Sequence, residues 1–348
     1  MQKNRLGRTD MEVTRYCLGT MTWGTQTGTD AAHAQIDMAL ERGVTFLDTA
    51  EMYPVNPVSA ETIGRTEQII GQWIAKARGR RGDLVVATKH SGEGLSKVRD
   101  GAPISAATIR ETVEGSLRRL DTDYIDLYQF HWPNRGSYHF RQNWRYDPSD
   151  VEPEQVLDEM AGCLDALEEE RRRGTIRHFG LSNETAWGAA QWLRLAERTD
   201  TPRPVTIQNE YSLLWRQFDT DLAELALHED LGLLAYSPLA AGLLTGKYQG
   251  GAVPSGSRMD LVAELGGRRT ARAFAAVDAY LDIAARHGLD PVQMALAWVA
   301  GRPFTTSVIF GATELDQLSH ILDGMDLALG DEVLAEIDEA HREHPMPY

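Results

Sequence analysis

The sequence has few cysteines and lacks a long apolar run, and both shortages limit what the protein can be. Its 348 residues include only two cysteines, Cys17 and Cys163. They form no metal-binding or redox spacing and no disulfide framework, so we interpret both as buried thiols. No stretch has the length of uninterrupted apolar residues that crosses a bilayer, and the first ten residues lack the apolar segment of a signal peptide. We therefore expect a cytoplasmic protein.

Positive charge is also scarce. The chain has 35 Lys and Arg residues against 51 Asp and Glu residues, a formal net charge of -16. Nucleic acids and anionic membranes are bound through clustered Lys and Arg, so we expect neither as a partner. A small basic pocket for a phosphorylated cofactor remains compatible with this charge. The expected partner is a small molecule, and the charge does not indicate an oligomeric state.

What is present is typical of one large globular domain. Hydrophobic residues make up 42% and charged residues 25% of the chain, which is ordinary for a globular protein. No low-complexity linker interrupts the sequence, so we predict a single domain over residues 1–348. Near the start, residues 3–6 and 12–15 flank a segment with Gly7 and Asp10, which favours a small β-hairpin.

After the hairpin, short β-rich strands alternate with segments of helical periodicity. The predicted strands are 17–20, 44–48, 84–89, 125–131, 176–182, 205–209, 233–237 and 307–311. The predicted helices are 30–42, with Asp30 as N-cap, 61–78, 105–120, 154–173, 184–198, 219–229, 269–300 and 314–322. Eight such units at this length predict an α/β fold, a (β/α)8 TIM barrel, with an extra C-terminal helix at 331–341.

Two predicted loops are long, 132–153 after strand four and 238–267 after strand seven. Loops of that length are usually functional or mobile, and both follow strand ends at the face where barrel active sites lie. The first loop is rich in aromatic residues: Trp132, Tyr138, Phe140, Trp144 and Tyr146. These side chains could wall an apolar substrate pocket, or they could simply cover the barrel edge.

Ionisable side chains stand at the ends of three neighbouring predicted strands. Asp48 ends the second strand and Tyr53 follows it, while Lys89 ends the third strand and His131 the fourth. Each has an ordinary structural explanation, such as a turn-forming Asp or a Tyr that packs with its hydroxyl in water. Because the carboxyl ends of barrel strands share one rim, we expect all four side chains there together.

Together these four residues would form an acid–base device. A phenol near its ordinary pKa of about 10 is a poor acid at neutral pH. A nearby ammonium would lower that pKa, and a carboxylate would keep the ammonium charged and in place. An imidazole could then orient a substrate oxygen.

The sequence resembles the aldo-keto reductases over nearly its whole length. Asp48, Tyr53, Lys89 and His131 fall where that family has its catalytic tetrad, in the same order and strand context. Other matching segments are LGTM at 18–21, GLSN at 180–183, QN at 208–209, YSPL at 236–239, LLTGKY at 243–248, GAT at 311–313 and QL at 317–318. Residues 205–214 and 288–299 are most similar to the bacterial Tas-type members, with potassium-channel beta subunits as more distant relatives.

The resemblance implies a role for each member of the tetrad. Tyr53 would be the general acid that protonates a carbonyl oxygen during NADPH-dependent reduction of aldehydes or ketones to alcohols. Lys89 and Asp48 would tune that acid, and His131 would position the carbonyl. Trp23 and Trp132 are the further substrate contacts we predict.

The resemblance also implies an NADP(H) site across the barrel mouth, since no GxGxxG motif follows the first strand. The nicotinamide would lie near Gly19, Thr20, Met21 and Asp48. Its carboxamide would be bound by Ser182, Asn183 and Gln208, and its ring would stack on Tyr236. Asn183 could also be a helix N-cap. Lys247 and Arg258 are the candidates for the 2′-phosphate. The remaining implied contacts are Ser237, Pro238, Leu239, Gly242, Leu243, Gly311, Thr313 and Gln317.

Two features depart from the family pattern. Many relatives carry Asn at the adenine-contacting position that Ile321 occupies here, so the adenine contacts are expected to differ. The segment between Tyr53 and Glu67, with Pro54 and Pro57, is longer than in the compact relatives.

Two alternatives use the same fold. A regulatory or redox-sensing module would bind cofactor with little turnover and act on a partner, as channel beta subunits do. A barrel with unrelated chemistry, such as metal-assisted isomerisation, would need carboxylate and His ligands clustered at strand ends. Only Asp48 and His131 meet that requirement, so we predict no metal site.

Overall fold

The computed structural model describes residues 1–77 and 79–348, and its first element is the predicted hairpin. Strand β1 (Lys3–Arg5) pairs antiparallel with β2 (Glu12–Thr14). Leu6 and Val13 are fully buried, so the hairpin contributes to the hydrophobic core.

Eight parallel strands form a closed barrel after the hairpin. They are β3 (Tyr16–Gly19), β4 (Phe46–Asp48), β5 (Val85–His90), β6 (Ile125–Phe130), β7 (Ile176–Ser182), β8 (Thr206–Glu210), β9 (Gly232–Tyr236) and β10 (Thr305–Phe310). Each strand pairs with the next along the chain, and β10 pairs with β3 to close the barrel. The strands are almost entirely buried, as expected where helices cover a parallel sheet. The predicted (β/α)8 barrel is confirmed.

Helices surround the barrel. They are α1 (Thr29–Glu41), α2 (Arg65–Lys76), α3 (Ala106–Leu120), α4 (Pro153–Arg173), α5 (Ala186–Thr199), α6 (Leu222–His228), α7 (Arg258–Leu261), α8 (Ala271–Arg286), α9 (Pro291–Ala300), α10 (Leu315–Asp323) and α11 (Asp331–Glu343). The last of these is the extra C-terminal helix predicted from the sequence.

Three helix predictions need correction. The predicted helix 269–300 is two helices, because Gly288 turns the chain and Pro291 starts α9 with Asp290 as its N-cap. Helix α2 begins at Arg65 and not at residue 61, and its predicted end at Arg78 lies outside the described residues. Asp30 is not an N-cap. It lies in the first turn of α1, where its charge faces the positive end of the helix dipole.

The apolar core has two layers. Inside the barrel, Leu6 and Val13 of the hairpin pack in one cluster with strand residues that include Cys17 and Phe46. A larger cluster lies between the barrel and its helices, and Cys163 on α4 belongs to it. The hairpin therefore closes the end of the barrel opposite the strand carboxyl ends, which leaves those ends as the open rim.

Both predicted long loops leave that rim, after β6 and after β9. The loop after β9 is partly ordered into helical turns at Ala240–Thr245 and Gln249–Gly251 and into α7. Within residues 1–77 and 79–348, no helix is both long enough and apolar enough to span a membrane.

Candidate active site

The four residues of the predicted tetrad come together at the open rim. Asp48 is the last residue of β4, Lys89 is the penultimate residue of β5, and His131 follows β6 directly. The loop after β4 carries Tyr53 back over these strand ends. Lys89 Nζ lies 2.6 Å from Asp48 Oδ2 and 3.5 Å from the Tyr53 hydroxyl, and the Tyr53 and His131 rings are 5.8 Å apart.

Lys89 is a fully buried cation whose donors are bound within the site. Its ammonium donates to Asp48 Oδ2 and, at 2.8 Å, to the Thr49 carbonyl. Burial opposes the charge, but Asp48 and Tyr53 outweigh burial and raise the pKa of Lys89 above 10.5. The pair is therefore an ammonium beside a carboxylate at neutral pH.

The Tyr53 phenol is protonated more firmly than the sequence suggested. Burial raises its pKa above 10.0, and the charge of Lys89 lowers it only in part. Lys89 thus acts in the predicted direction, but burial outweighs it, so the net shift of the Tyr53 pKa is upward. Besides the 3.5 Å contact with the hydroxyl, the ammonium lies 4.9 Å from the centre of the Tyr53 ring.

His131 is neutral in this environment. Burial and the charge of Lys89 lower the pKa of its imidazole well below 6.5. Its ring lies edge-on to Tyr53 and 4.9 Å from the Trp132 ring. Its backbone carbonyl accepts a 2.8 Å hydrogen bond from Asn183 Nδ2, which ties β6 to β7 at the rim.

Two glutamines complete the site, and one of them was not predicted. Gln208 Nε2 donates to Asp48 Oδ1 at 2.8 Å, and Gln129 Nε2 donates to the same oxygen at 3.2 Å. The sequence assigned Gln208 to the cofactor carboxamide and did not single out Gln129. A signal was present, because Gln129 is a polar residue within the buried strand β6, in register with Lys89 on β5.

The predicted carboxamide-binding residues form one connected group at the ends of β7 and β8. Ser182 Oγ donates to the Gln208 carbonyl at 2.8 Å, and the Tyr236 hydroxyl donates to Asn183 Oδ1 at 2.7 Å. Asn183 has a left-handed backbone, with φ +53°, and it is not the helix N-cap. Thr185 caps α5 through the Gly188 amide instead. Asn183 is therefore free of a capping role and belongs to the site.

The segment after β3 contacts the tetrad, but Trp23 does not take part. Thr20 Oγ1 donates to the Asp48 carbonyl at 2.8 Å, and the Met21 carbonyl accepts from the Val55 amide. A side chain at Gly19 would collide with Ile309 and Phe310 on β10. Trp23 is fully buried and donates to Gln35, so it offers no surface to a ligand. The prediction that Trp23 contacts the substrate is therefore corrected.

The loop after β9 begins with a sharp turn that carries the other predicted cofactor residues. Ser237 has φ +54°, and the chain then passes through Pro238, Leu239 and Leu243. Gly242, with φ +93°, lies so close to Lys247 that a Cβ would be 2.9 Å from the lysine Cε. Lys247 is exposed. Arg258 is half-buried, and within the described residues no carboxylate pairs with it.

The last barrel helix presents a free N-terminus to the same rim. No side chain caps α10, so its first amide groups are available to an anion. Gly311 and Thr313 precede the helix, and Gln317 accepts hydrogen bonds from the Thr313 amide and hydroxyl. Ile321 is buried in the helix–barrel core, so its side chain does not face a ligand.

The aromatic loop after β6 covers one side of the site. Trp132 is half-buried, donates to the Glu93 carbonyl, and packs 6.2 Å from the Phe140 ring. Phe140 and Trp144 remain exposed, at 42% and 64%. Trp132 and Phe140 therefore form a wall beside His131.

Within the described chain, no group of three or more His, Cys, Asp or Glu residues is arranged to hold a metal ion.

Fold and site together define a class of protein: a (β/α)8 barrel whose open rim joins a phenol to a buried ammonium–carboxylate pair, with a neutral imidazole beside it. The sequence comparisons agree with this class. A sequence model of the Aldo/keto reductase family matches residues 15–342. The chain belongs to this family and is an oxidoreductase, as its resemblance to the aldo-keto reductases predicted.

Similar curated proteins share the family and cover nearly the same length. Protein tas of Escherichia coli (strain K12) is 46% identical over 354 aligned positions, which cover 100% of this chain and 99% of tas. The uncharacterized oxidoreductase YrpG of Bacillus subtilis (strain 168) is 33% identical, with coverages of 97% and 95%. A probable voltage-gated potassium channel subunit beta of Arabidopsis thaliana is 30% identical, with coverages of 94% and 92%.

Proposed function

We propose that this protein reduces aldehydes or ketones to alcohols with NADPH and that Tyr53 is the general acid. The observation that carries the proposal is the Tyr53 hydroxyl, 3.5 Å from the buried Lys89 ammonium that Asp48 holds at 2.6 Å. A phenol in this setting keeps its proton at neutral pH, and the adjacent cation stabilises the phenolate that proton donation leaves behind.

The residues around Tyr53 divide the remaining work. Neutral His131 lies edge-on to the Tyr53 ring and can hydrogen-bond the substrate oxygen without competing for its proton. Trp132 and Phe140 exclude water from that side of the carbonyl. The Lys89 ammonium stays beside the phenol because Asp48 Oδ2 accepts from it at 2.6 Å.

The rim residues fit a phosphorylated nicotinamide cofactor. Arg258 is a half-buried cation without a carboxylate partner in the described chain, and α10 has an uncapped N-terminus; both suit phosphate groups. Gly242, Lys247 and the segment from Ser237 would hold the pyrophosphate, and Tyr236 and Asn183 the nicotinamide end. When bound, the reduced nicotinamide would supply a hydride to the carbonyl carbon. Lys247 and Arg258 would favour NADPH over NADH through the 2′-phosphate.

The proposal includes a small-molecule carbonyl as the partner, with no nucleic acid or membrane, on a chain of net charge -16. Both cysteines are free and buried, which suits a reducing compartment, and we place the enzyme in the cytoplasm. Since Ile321 is buried, other side chains, with Gln317 among them, would contact the adenine.

The test is the loss of reduced-nicotinamide absorbance with an activated aromatic aldehyde, run in parallel with NADPH and NADH. We expect turnover with NADPH well above that with NADH. Equal rates with the two cofactors would support the reductase activity but would reject Lys247 and Arg258 as ligands of the 2′-phosphate. Cofactor binding seen as tryptophan quenching, without turnover, would instead favour a regulatory module that acts on a partner.

The Tyr53→Phe variant tests the general acid. We expect its kcat for reduction to fall by about 100-fold or more, since a positioned general acid contributes on that order. NADPH binding, followed by tryptophan quenching, should survive because the phenol hydroxyl supplies the proton and little of the cofactor contact. A variant that turns over like the parent would show that another group is the acid.

A further inference from the structure

A second buried charge cluster lies on the same rim, at the end of β8. Glu210 is the last residue of that strand, and its side chain is 1% exposed. Arg268 binds one carboxylate oxygen through Nε at 2.8 Å and Nη2 at 2.6 Å, and Arg141 Nη1 binds the other oxygen at 2.8 Å. Two guanidinium groups against one carboxylate leave one positive charge without a partner inside this cluster.

The cluster forms a row of charges across the mouth. Arg141 comes from the aromatic loop after β6, whereas Arg268 follows the long loop after β9. Arg258 lies in that second loop, and burial together with the charge of Arg268 lowers the pKa of Arg258. Arg258, at one end of the row, thus belongs with the proposed cofactor phosphates. Arg141 is the other end of the row, in the aromatic loop.

The Arg141 end continues directly into the proposed substrate wall. Phe140 precedes Arg141 in the chain, its ring contacts Trp132 at 6.2 Å, and the Trp132 ring lies 4.9 Å from His131. Glu210 is in register with Tyr236 on β9. The Tyr236 hydroxyl donates to Asn183 Oδ1 at 2.7 Å, and Asn183 Nδ2 donates to the His131 carbonyl at 2.8 Å, so the β8–β9 end that carries Glu210 is hydrogen-bonded to the tetrad. Arg141 is therefore near the reacting centre on the substrate side.

The backbone at Arg141 is unusual, which marks the position as constrained. Phe140 and Arg141 are consecutive non-glycine residues in the left-handed region, with φ +55° and +63°. Such residues cost free energy and persist where the surroundings or a function require them. Arg141 Nε is also buried without an acceptor in the described chain, so Glu210 does not use all the donors of this guanidinium.

Three other buried cations at the rim each have a carboxylate partner. Lys89 pairs with Asp48, Arg135 with Glu184, and Arg99 with Glu51. His131 is neutral. On a chain of net charge -16, the unbalanced cation at Arg141 would draw an anionic ligand to the mouth and repel it from most other surfaces.

We propose that the carbonyl substrate carries a carboxylate and that Arg141 binds it. This inference rests on the proposed carbonyl reduction and deepens it by naming a substrate class: oxo acids with an apolar or aromatic body. A guanidinium suits this role because it binds a carboxylate through paired hydrogen bonds and stays charged at every working pH.

The test compares para- and meta-carboxybenzaldehyde with their uncharged methyl esters, using NADPH and measuring kcat/KM. The parent enzyme should prefer the acids by about tenfold or more. In Arg141→Gln this preference should disappear, because the amide can still bond to Glu210 but carries no charge. Arg141→Lys should restore part of it. Arg145→Gln is the matched control, since it removes the same charge from an exposed site of the same loop and should keep the preference.

Several results would overturn the inference. Acids that are no better than esters in the parent enzyme would do so, as would a preference that survives Arg141→Gln or falls equally in Arg145→Gln. A matching loss of NADPH affinity in Arg141→Gln would assign Arg141 to the cofactor instead. If neither acid nor ester is turned over, the proposed reduction fails. Binding of the corresponding carboxybenzyl alcohols, measured by tryptophan fluorescence, then tests the carboxylate site by itself. Tighter binding of the charged alcohols that is lost in Arg141→Gln supports the site, and the absence of such binding refutes it.

Discussion

At the residue scale, the Asp48 carboxylate determines where the Lys89 ammonium can lie. One oxygen of Asp48 accepts from Lys89, and the other accepts from Gln129 and Gln208. Because these amide donors occupy the second oxygen, the carboxylate cannot rotate freely, and the ammonium stays within reach of the Tyr53 hydroxyl. The glutamines therefore hold the proposed catalytic pair of Asp48 and Lys89 in place.

The Asp48→Asn variant should show how strongly Lys89 depends on its partner. It leaves a fully buried ammonium without a counter-charge, and loss of one member of a buried pair costs about 3–5 kcal/mol. We expect a lower urea midpoint for unfolding. The double variant Asp48→Asn/Lys89→Met carries no buried charge and should recover most of the loss. A double variant as unstable as the single one would contradict this account.

The pH dependence of reduction follows from the pKa shifts of Tyr53 and His131. The proposed reduction needs the protonated phenol, whose pKa is raised above 10.0, and the neutral imidazole, whose pKa is lowered below 6.5. Both forms dominate between these values, so kcat/KM for reduction should be flat from about pH 7 to 9 and decline only at higher pH. A break near pH 6.5 in the measured profile would mean that His131 titrates and is more exposed to water than its surroundings indicate.

The sequence predicted the tetrad because each of its members stands at or just beyond a strand end, where chain order alone identifies the rim. It did not predict Gln129, whose role depends on which way a strand residue points and on its register with Lys89. It also misplaced Trp23, since a tryptophan in a rim loop can turn toward the ligand or toward a helix, and only packing against Gln35 decides.

At the element scale, the contact between α2 and α3 depends on one residue without a side chain. A Cβ at Gly71 would overlap the backbone at Arg119 and Leu120, at the end of α3. The Glu67 side chain beside this contact is fully buried and bonds to both Thr88 and Arg119. Helix α2, which follows the loop that carries Tyr53, is thus held closely against its neighbour.

Two glycine substitutions should therefore act in opposite directions. Gly71→Ala forces backbone apart and should destabilise the protein by about 1–3 kcal/mol. Gly162→Ala, within α4, meets only the Ala106 Cβ at 4.0 Å and should stabilise it by up to about 1 kcal/mol through helix propensity. Urea unfolding of the two variants beside the parent measures both changes. Equal destabilisation by both variants would show that the close α2–α3 contact at Gly71 is not what makes a substitution there costly.

Element types were predictable, whereas element ends were less so. Strand and helix periodicity located the eight units, because buried strands are short and β-rich and helices repeat their apolar residues every three to four positions. The division between α8 and α9 was missed although Gly288 and Pro291 mark it. Apolar periodicity continues on both sides of a break, so periodicity alone does not reveal one.

At the scale of the whole molecule, the net charge of the chain and the charge at the rim differ in sign. The chain as a whole is strongly acidic, at -16, yet Arg141, Arg258 and Arg268 gather at the rim with Glu210 as their one buried carboxylate. Composition predicted that polyanions would not bind, and it left room for a local basic site. The row of arginines itself was not predictable, because it is assembled from two loops far apart in the chain and meets Glu210 on a third segment, β8.

The two-layered core has a consequence for how unfolding can be followed. Cys17 lies inside the barrel and Cys163 lies between the barrel and α4, and burial raises the pKa of both thiols, that of Cys163 to about 12. Neither sulfur can be alkylated in the native state at a useful rate. Labelling of Cys163 therefore reports loosening of the layer between α4 and the barrel, whereas labelling of Cys17 reports displacement of the hairpin or parting of the strands. Two cysteines thus serve as native chemical probes, one for each layer.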